Sequence, residues 1–237
     1  MKNYSLFLSL FLLLILCSCD SRDSDNAEKE TKSFDIEGVS RLKVDGIFNL
    51  HIKQGDMESL TIEGTPEMID LLTVRQRGDL LELNISEKDS RTFNKKGTKV
   101  NLTVADLSEM EFEGAGNITT VGNLDLADFR LIGRGVGKVH MELEADYLEA
   151  DLNFVGSLTL KGAAREFSLL NEGIGNIDAS KLIYQKVDLI SSGIGKVAVH
   201  CEDELSLEVN GIGTVSYTGN PTVVHENIQG IGKVNRN

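Results

Sequence analysis

The sequence has no tryptophan, only 2 prolines and 3 cysteines, and aromatic residues make up just 5% of its 237 positions. Each shortage closes off a class of protein. Scarce proline means that the 23 glycines do not belong to a Pro/Gly-rich linker, so they need a positional explanation. Two of the cysteines, Cys17 and Cys19, lie near the N-terminus, which leaves Cys201 alone in the rest of the chain. A lone cysteine makes no intramolecular disulfide, so a disulfide-stapled scaffold is excluded. Positive charge is short as well: 24 Lys and Arg stand against 37 Asp and Glu, a formal net charge of −13. Such a surface repels phosphate backbones and anionic headgroups, and no nucleic-acid partner is expected.

What is present begins with an export signal. Lys2 precedes an apolar run of 11 residues, Leu6 to Leu16, too short to span a bilayer as a helix. The stretch Leu16-Cys17-Ser18-Cys19 resembles the lipobox of bacterial lipoproteins. That resemblance implies cleavage after Ser18 and lipidation of Cys19, whose several acyl chains would give a durable membrane anchor. The following residues, DSRDSDNAEKETK, are polar and lack apolar periodicity, and read as a flexible tether over 19–33. An acidic stretch after the lipidated cysteine resembles the surface-export signals of Bacteroidetes lipoproteins. The expected address is the outer membrane, with the cell surface preferred over the periplasmic side.

The glycines find their explanation in an internal repeat. A Gly-x-Gly-x-Ile/Val unit recurs with its second glycine at 116, 137, 175, 195, 213 and 232, and a degenerate copy centred on Gly156 carries Phe154 in place of the first glycine. Successive steps are 18 to 21 residues, a period near 19. Aligned on that glycine, the position two after it reads Ile118, Val139, Leu158, Ile177, Val197, Val215 and Val234. The position one before it is also apolar, from Ala115 and Val136 to Ile231, while the position one after it is polar in every copy. Alternation of period two, broken by a glycine corner and without helical periodicity, predicts short strands.

The expected fold is therefore all-β: a right-handed, single-stranded parallel β-helix with coils of about 19 residues, aliphatic columns filling the interior and glycines turning the corners. If the corner at Phe154 needs positive φ, that coil must bend differently. The less regular part over 34–106 should form the first coils and cap the stack, with regular repeats over 107–237 and one domain over 34–237. Within it, Asp45-Gly46 reads as a hairpin-like break, Thr65 as the N-cap of a helical turn, and 86–98 as the most loop-like stretch.

With these residues in view, the chain resembles the putative auto-transporter adhesin head GIN domain family, typical of Bacteroidetes. The resemblance rests on Asp45-Gly46-Ile47-Phe48-Asn49-Leu50, Gln54-Gly55-Asp56, Leu60-Thr61-Ile62-Glu63-Gly64, Asp79-Leu80-Leu81-Glu82-Leu83 and the serial glycine corners, together covering roughly 34 to 237. It implies a right-handed β-helix and an adhesin-like role, with no catalytic residues to carry over.

A search for chemistry returns little. The column seven before the glycine holds Glu109, Arg130, Glu149, Ser168 and Asp188. Glu149 and Asp188 are candidates for a glycosidase-like carboxylate pair, set against a reading as alternating surface charges. His51, His140, His200 and His225 occupy different repeat positions, so no metal site is expected. Cys201 shares a face with Val197 and Val199 and reads as a small buried hydrophobe. No catalytic residue, cofactor or metal ligand is assigned. The function expected is a non-catalytic binding or structural module, anchored through Cys19 and meeting a glycan, protein or matrix partner. A carbohydrate-active β-helix enzyme and a periplasmic scaffold or envelope-stress component stand as alternatives.

Overall fold

A computed structural model of the chain describes residues 29–85 and 98–237. Residues 1–28, with the lipobox and Cys19, and most of the loop expected at 86–98 lie outside the described residues. The described chain is almost entirely strand, wound into a β-solenoid of about 6 turns.

The irregular part comes first. β1 (Glu30–Phe34), β2 (Arg41–Gln54) and β3 (Ser59–Gly64) are followed by a single helical turn, α1 (Pro66–Ile69), then β4 (Thr73–Arg77), β5 (Leu80–Asn84) and β6 (Lys99–Val104). β1 starts at Glu30, within the stretch 19–33 read from composition as a tether. β1, β3 and β6 pair antiparallel, as do β4 and β5. β5 lies parallel to the first half of β2 and β6 to its second half. These strands cover the end of β2, so the open end of the stack is closed by antiparallel pairing.

β2 also corrects the expectation of a hairpin at Asp45-Gly46. It is one 14-residue strand that pairs in parallel with β7 (Glu109–Thr120) from Arg41↔Glu109 through Gly46↔Gly114 to Ile52↔Thr120. Asp45-Gly46 is thus a corner of the first coil rather than a reversal. Thr65 does occupy the position before α1, but its side chain makes no capping hydrogen bond.

The regular part follows: β8 (Leu124–Asn171), β9 (Ile174–Ser191), β10 (Ile194–Val209), β11 (Ile212–Thr218), β12 (Thr222–Ile228) and β13 (Ile231–Arg236). Every pairing between successive coils is parallel. The register confirms the predicted columns. Ile118 pairs with Val139, Leu158 with Ile177, Ile177 with Val197, Val197 with Val215 and Val215 with Val234. Apart from the terminal Val234, these residues are buried, so they form one inward stack. The columns six and eight before the glycine, among them Leu131, Leu169, Leu189, Phe129 and Phe167, are buried beside them.

Two interior features show how the repeat absorbs irregularity. Phe154 causes no special bend. Among the described residues no non-glycine has positive φ, and of the first glycines of the later coils Gly173, Gly193 and Gly211 do not either, so a phenylalanine is compatible there. Its ring turns inward and meets Phe112 edge-to-face at 5.7 Å, where the missing side chain of Gly133 leaves room. Further along, Asn171 and Ser191 stack as buried polar neighbours. The Asn171 amide donates to Ser191 Oγ at 3.2 Å and its carbonyl accepts from the Gly173 N–H, which satisfies the pair inside the core.

The corner glycine is needed mainly because the coils crowd together. At Gly195, φ is +137°, and a Cβ there would sit 1.8 Å from the carbonyl oxygen of Gly175 on the preceding coil. No side chain fits that gap.

Candidate binding surface

Period-two alternation inside a closed coil leaves every second residue pointing outward, so the surface is a set of outward columns. Three carry recognisable chemistry.

The first is the charged column seven before the glycine. Register places Arg130 beside Glu109, and its guanidinium reaches Glu109 at 3.9 Å and Glu149 at 3.4 Å. The Glu149 carboxylate therefore turns toward Arg130, away from Asp188, and Ser168 occupies the column between the two acids. The proposed carboxylate pair is not assembled; the column is an ion-pair ladder. A neighbouring pair is tighter: Arg134 grips Asp151 in bidentate fashion at 2.9 and 2.8 Å, and this contact holds the Asp151 carboxyl below its usual range. On the first coil Arg41 does the same to Asp79 with help from Ser40 Oγ, and the Asp79 pKa falls to about 2.

The second feature is a pair of shallow grooves. One, of about 310 Å³, runs along the flank of the charged column and is lined by Tyr147, Glu166, Ser168, Lys186, Asp188 and Glu204. Tyr147 exposes part of its ring, and Lys186 is bridged to Glu204 at 3.2 Å. The other, of about 450 Å³, is lined by Asp125, Glu144, Asp146, Arg165, Ile183 and Gln185. Both offer hydrogen-bonding groups beside exposed apolar side chains, Val224 in the first and Ile183 in the second, an arrangement suited to holding a ligand.

The third overturns an expectation. The aliphatic column one residue before the glycine does not fill the interior. Val136, Val155, Ile174, Ile194, Ile212 and Ile231 are between 45% and 80% exposed. Ile174 pairs with Val155 and Ile194, and Ile212 with Ile194 and Ile231, so these side chains form a continuous outer ladder. The physical reason is parity. The inward column lies two after the glycine, three residues away, and an odd separation along a strand places a side chain on the opposite face. Hydrophobicity alone had pointed inward, whereas the spacing already contained the answer.

The remaining sequence candidates fall into structural places. Cys201 is fully buried and its Sγ lies 3.1 Å from the Glu204 carbonyl oxygen; burial pushes the thiol pKa up, so it behaves as a core residue. His200 bridges Thr218 at 2.9 Å and Glu202 at 2.5 Å. Among the described residues no three His, Cys, Asp or Glu side chains come together as a metal site.

Comparison with known proteins agrees with this architecture. The profile described as "Putative auto-transporter adhesin, head GIN domain" matches residues 39–221. Among solved structures, a putative adhesin from Bacteroides fragilis superposes with a TM-score of 0.81 at 23% identity, covering 88% of this chain and 97% of that one. A putative lipid binding protein from Parabacteroides distasonis gives 0.65 at 19% identity, with 89% and 97% covered. A putative adhesin from Parabacteroides merdae gives 0.60 at 19% identity, again with 89% and 97% covered. At these identities the likeness speaks for the fold alone. Among curated proteins nothing matches. With more than half its length matched, on a solenoid whose corners are the repeated glycines, the chain belongs to the putative auto-transporter adhesin, head GIN domain family.

Proposed function

We propose that the protein is a lipid-anchored, non-catalytic binding module of the outer membrane, held through Cys19 and displayed on the cell surface. The observation that carries this reading is the parallel pairing of coil on coil from Arg41 to Arg236, with local register shifts such as those at Thr159/Lys161 and Cys201/Glu204, which makes the domain one stiff rod with long outward faces. A rod on a lipidated tether presents a surface at a distance from its anchor, and the adhesin-like family fits that use. The ligand face is the groove beside Tyr147, where one exposed aromatic ring lies among Ser168, Lys186 and Asp188. A sugar or an extended peptide takes such a site through ring contact and hydrogen bonds.

Two measurements test the reading. Cys19→Ala should move the protein from the membrane fraction to the soluble fraction and remove acyl-chain mass from the purified chain. Tyr147→Ala should weaken retention on a glycan or matrix-protein array at least tenfold without altering the circular dichroism spectrum. Turnover of an acidic polysaccharide by the purified protein would favour the enzymatic alternative instead.

A further inference from the structure

The outer aliphatic ladder has no role in the core and lies outside the Tyr147 groove. It runs the length of the regular solenoid, one side chain wide, with rungs about 4.8 Å apart. Exposed positions normally vary freely between polar and apolar residues. Here Val or Ile recurs on six described rungs, each with close to half or more of its surface open to water. A contiguous apolar strip of that kind marks an interaction surface.

The column two residues further along the chain, on the same outward side, shows what the strip would meet. It reads Lys138, Ser157, Asn176, Lys196, Thr214 and Lys233 on the same six rungs. The three lysines are exposed, and among the described residues none has a carboxylate in ion-pair range, although the chain carries a net charge of −13. On the other flank, Arg134 is neutralised by Asp151 and Glu113 lies 3.9 Å from Lys43, which leaves Glu172 as the exposed acid beside the strip. Free positive charge thus lines one edge of the ladder.

A second copy of the chain does not satisfy this arrangement. With a two-fold axis along the rod, Lys138 would face the partner's Arg134, and Lys196 and Lys233 would face the partner's Ser192 and the partner's Gln229. With the axis across the rod, the lysine column would face itself, whose members are Asn, Ser, Thr and Lys. Neither arrangement brings a carboxylate to a lysine. A strip one residue wide also falls short of the roughly 800 Å² per partner of a standard interface.

A flat anionic surface fits better. A rod resting on a plane touches it along a single line, and the columns on either side are set back. We infer that the Val136–Ile231 ladder is the line along which the solenoid rests on an anionic lipid bilayer, with the aliphatic side chains entering the headgroup region and Lys138, Lys196 and Lys233 meeting lipid phosphates. Lysines also stack elsewhere, as at Lys161 and Lys181, but among the described residues this line alone sets them beside a continuous exposed aliphatic ladder, and that combination selects the orientation. The inference rests on the envelope reading above only for bringing a bilayer within reach: ten residues separate Cys19 from Glu30, a span of at most about 40 Å.

The test labels the anchored full-length protein at Asn176→Cys, on the lysine column, or at Asp188→Cys, on the charged column, with a fluorophore; buried Cys201 stays unlabelled in the folded chain. The protein is reconstituted into vesicles carrying a nitroxide-headgroup quencher lipid. With phosphatidylglycerol present, the label at 176 should be quenched at least threefold more than the label at 188. Phosphatidylcholine alone should remove the difference. The combined Lys138→Gln, Lys196→Gln and Lys233→Gln variant should do the same, since each lysine is worth about fivefold in affinity for an anionic surface. This variant leaves the interior untouched, so it keeps its fold.

Equal quenching at the two positions, in protein that still floats with the vesicles, overturns the ladder assignment and leaves the anchor intact. Loss of flotation overturns the anchor instead. The ladder is then read from unlipidated Cys19→Ala chain mixed with the same vesicles, where salt-sensitive binding lost in the lysine variant supports it and no binding overturns it. A lipid-free dimer broken by Ile194→Ser and Ile212→Ser would assign the strip to a second copy and also overturn the proposal.

Discussion

The corner glycines make the most direct demand on the fold, and Gly195 states it in numbers. Replacing it by alanine puts a Cβ 1.8 Å from the carbonyl oxygen of Gly175 and 2.8 Å from its carbonyl carbon, at a φ of +137°. Side-chain carbons do not approach backbone atoms inside 3.0 Å, so the two coils must part by more than 1 Å at a spacing of about 4.8 Å. That opening strains the corner hydrogen bonds Ile194 N–H to Gly173 O and Ile212 N–H to Gly193 O, each 2.9 Å long. Breaking two backbone bonds at about 1–3 kcal/mol each, added to about 1–2 kcal/mol for the unfavourable φ, gives a loss of about 3–8 kcal/mol. Gly78 supplies the control. Its φ is +61° but a Cβ there meets nothing within 4 Å, so Gly78→Ala should cost only the conformational part, about 1–2 kcal/mol. Urea unfolding of the two variants, followed by circular dichroism, measures the gap, expected at about 3 kcal/mol. A Gly195→Ala protein within about 1 kcal/mol of Gly78→Ala would refute the claim that coil crowding, rather than backbone freedom, is what the glycine provides.

Three further outcomes follow from the same packing. Leu207→Ala, at a fully buried rung, should lose about 2–5 kcal/mol, while Ile194→Ala on the half-exposed ladder should stay within about 1 kcal/mol of the parent in thermal unfolding. Asp79 has its folded pKa at about 2, below the ordinary value of 3.8, so its contribution to stability is complete above about pH 4 and is lost as the pH falls toward 2. Acid unfolding between pH 5 and 2 should therefore be less steep in Asp79→Asn, and an unchanged slope would remove Asp79 from the account. Among the described residues the buried Tyr184 hydroxyl has no hydrogen-bond partner, while its ring stacks on Phe167 at 4.6 Å. Tyr184→Phe should keep the stack, drop the desolvated hydroxyl and raise stability by up to about 1 kcal/mol, read from the shift in melting temperature.

The period, the inward column and the role of the glycines were legible before any coordinates. They follow from local rules: side chains alternate along a strand, and only glycine fits where backbones stack. Ile118, Val139, Ile177, Val197 and Val215 declared themselves by recurring at one spacing, and they line up as read. The outer ladder was legible too, but in parity rather than in hydrophobicity, since Ile174 and Ile177 stand three residues apart and cannot share a face. Asp45-Gly46 misled because a corner and a hairpin share the same turn residues. What separates them is whether the next segment returns beside the first or continues around the coil. That depends on β7, more than sixty residues later in the chain.

By itself, then, the amino-acid order determined a repeating all-β coil of about 19 residues, its packed interior and the glycine corners, because each is set by neighbours within one repeat. Only the tertiary structure decided which residues of different coils become neighbours on the outside. Winding the chain placed Arg130 between Glu109 and Glu149, turned Glu149 away from Asp188 and gathered Tyr147 with Lys186. It also left a line of aliphatic side chains bare along one edge of lysines. Those contacts join residues one or two repeats apart, and such distances close only when the coils stack.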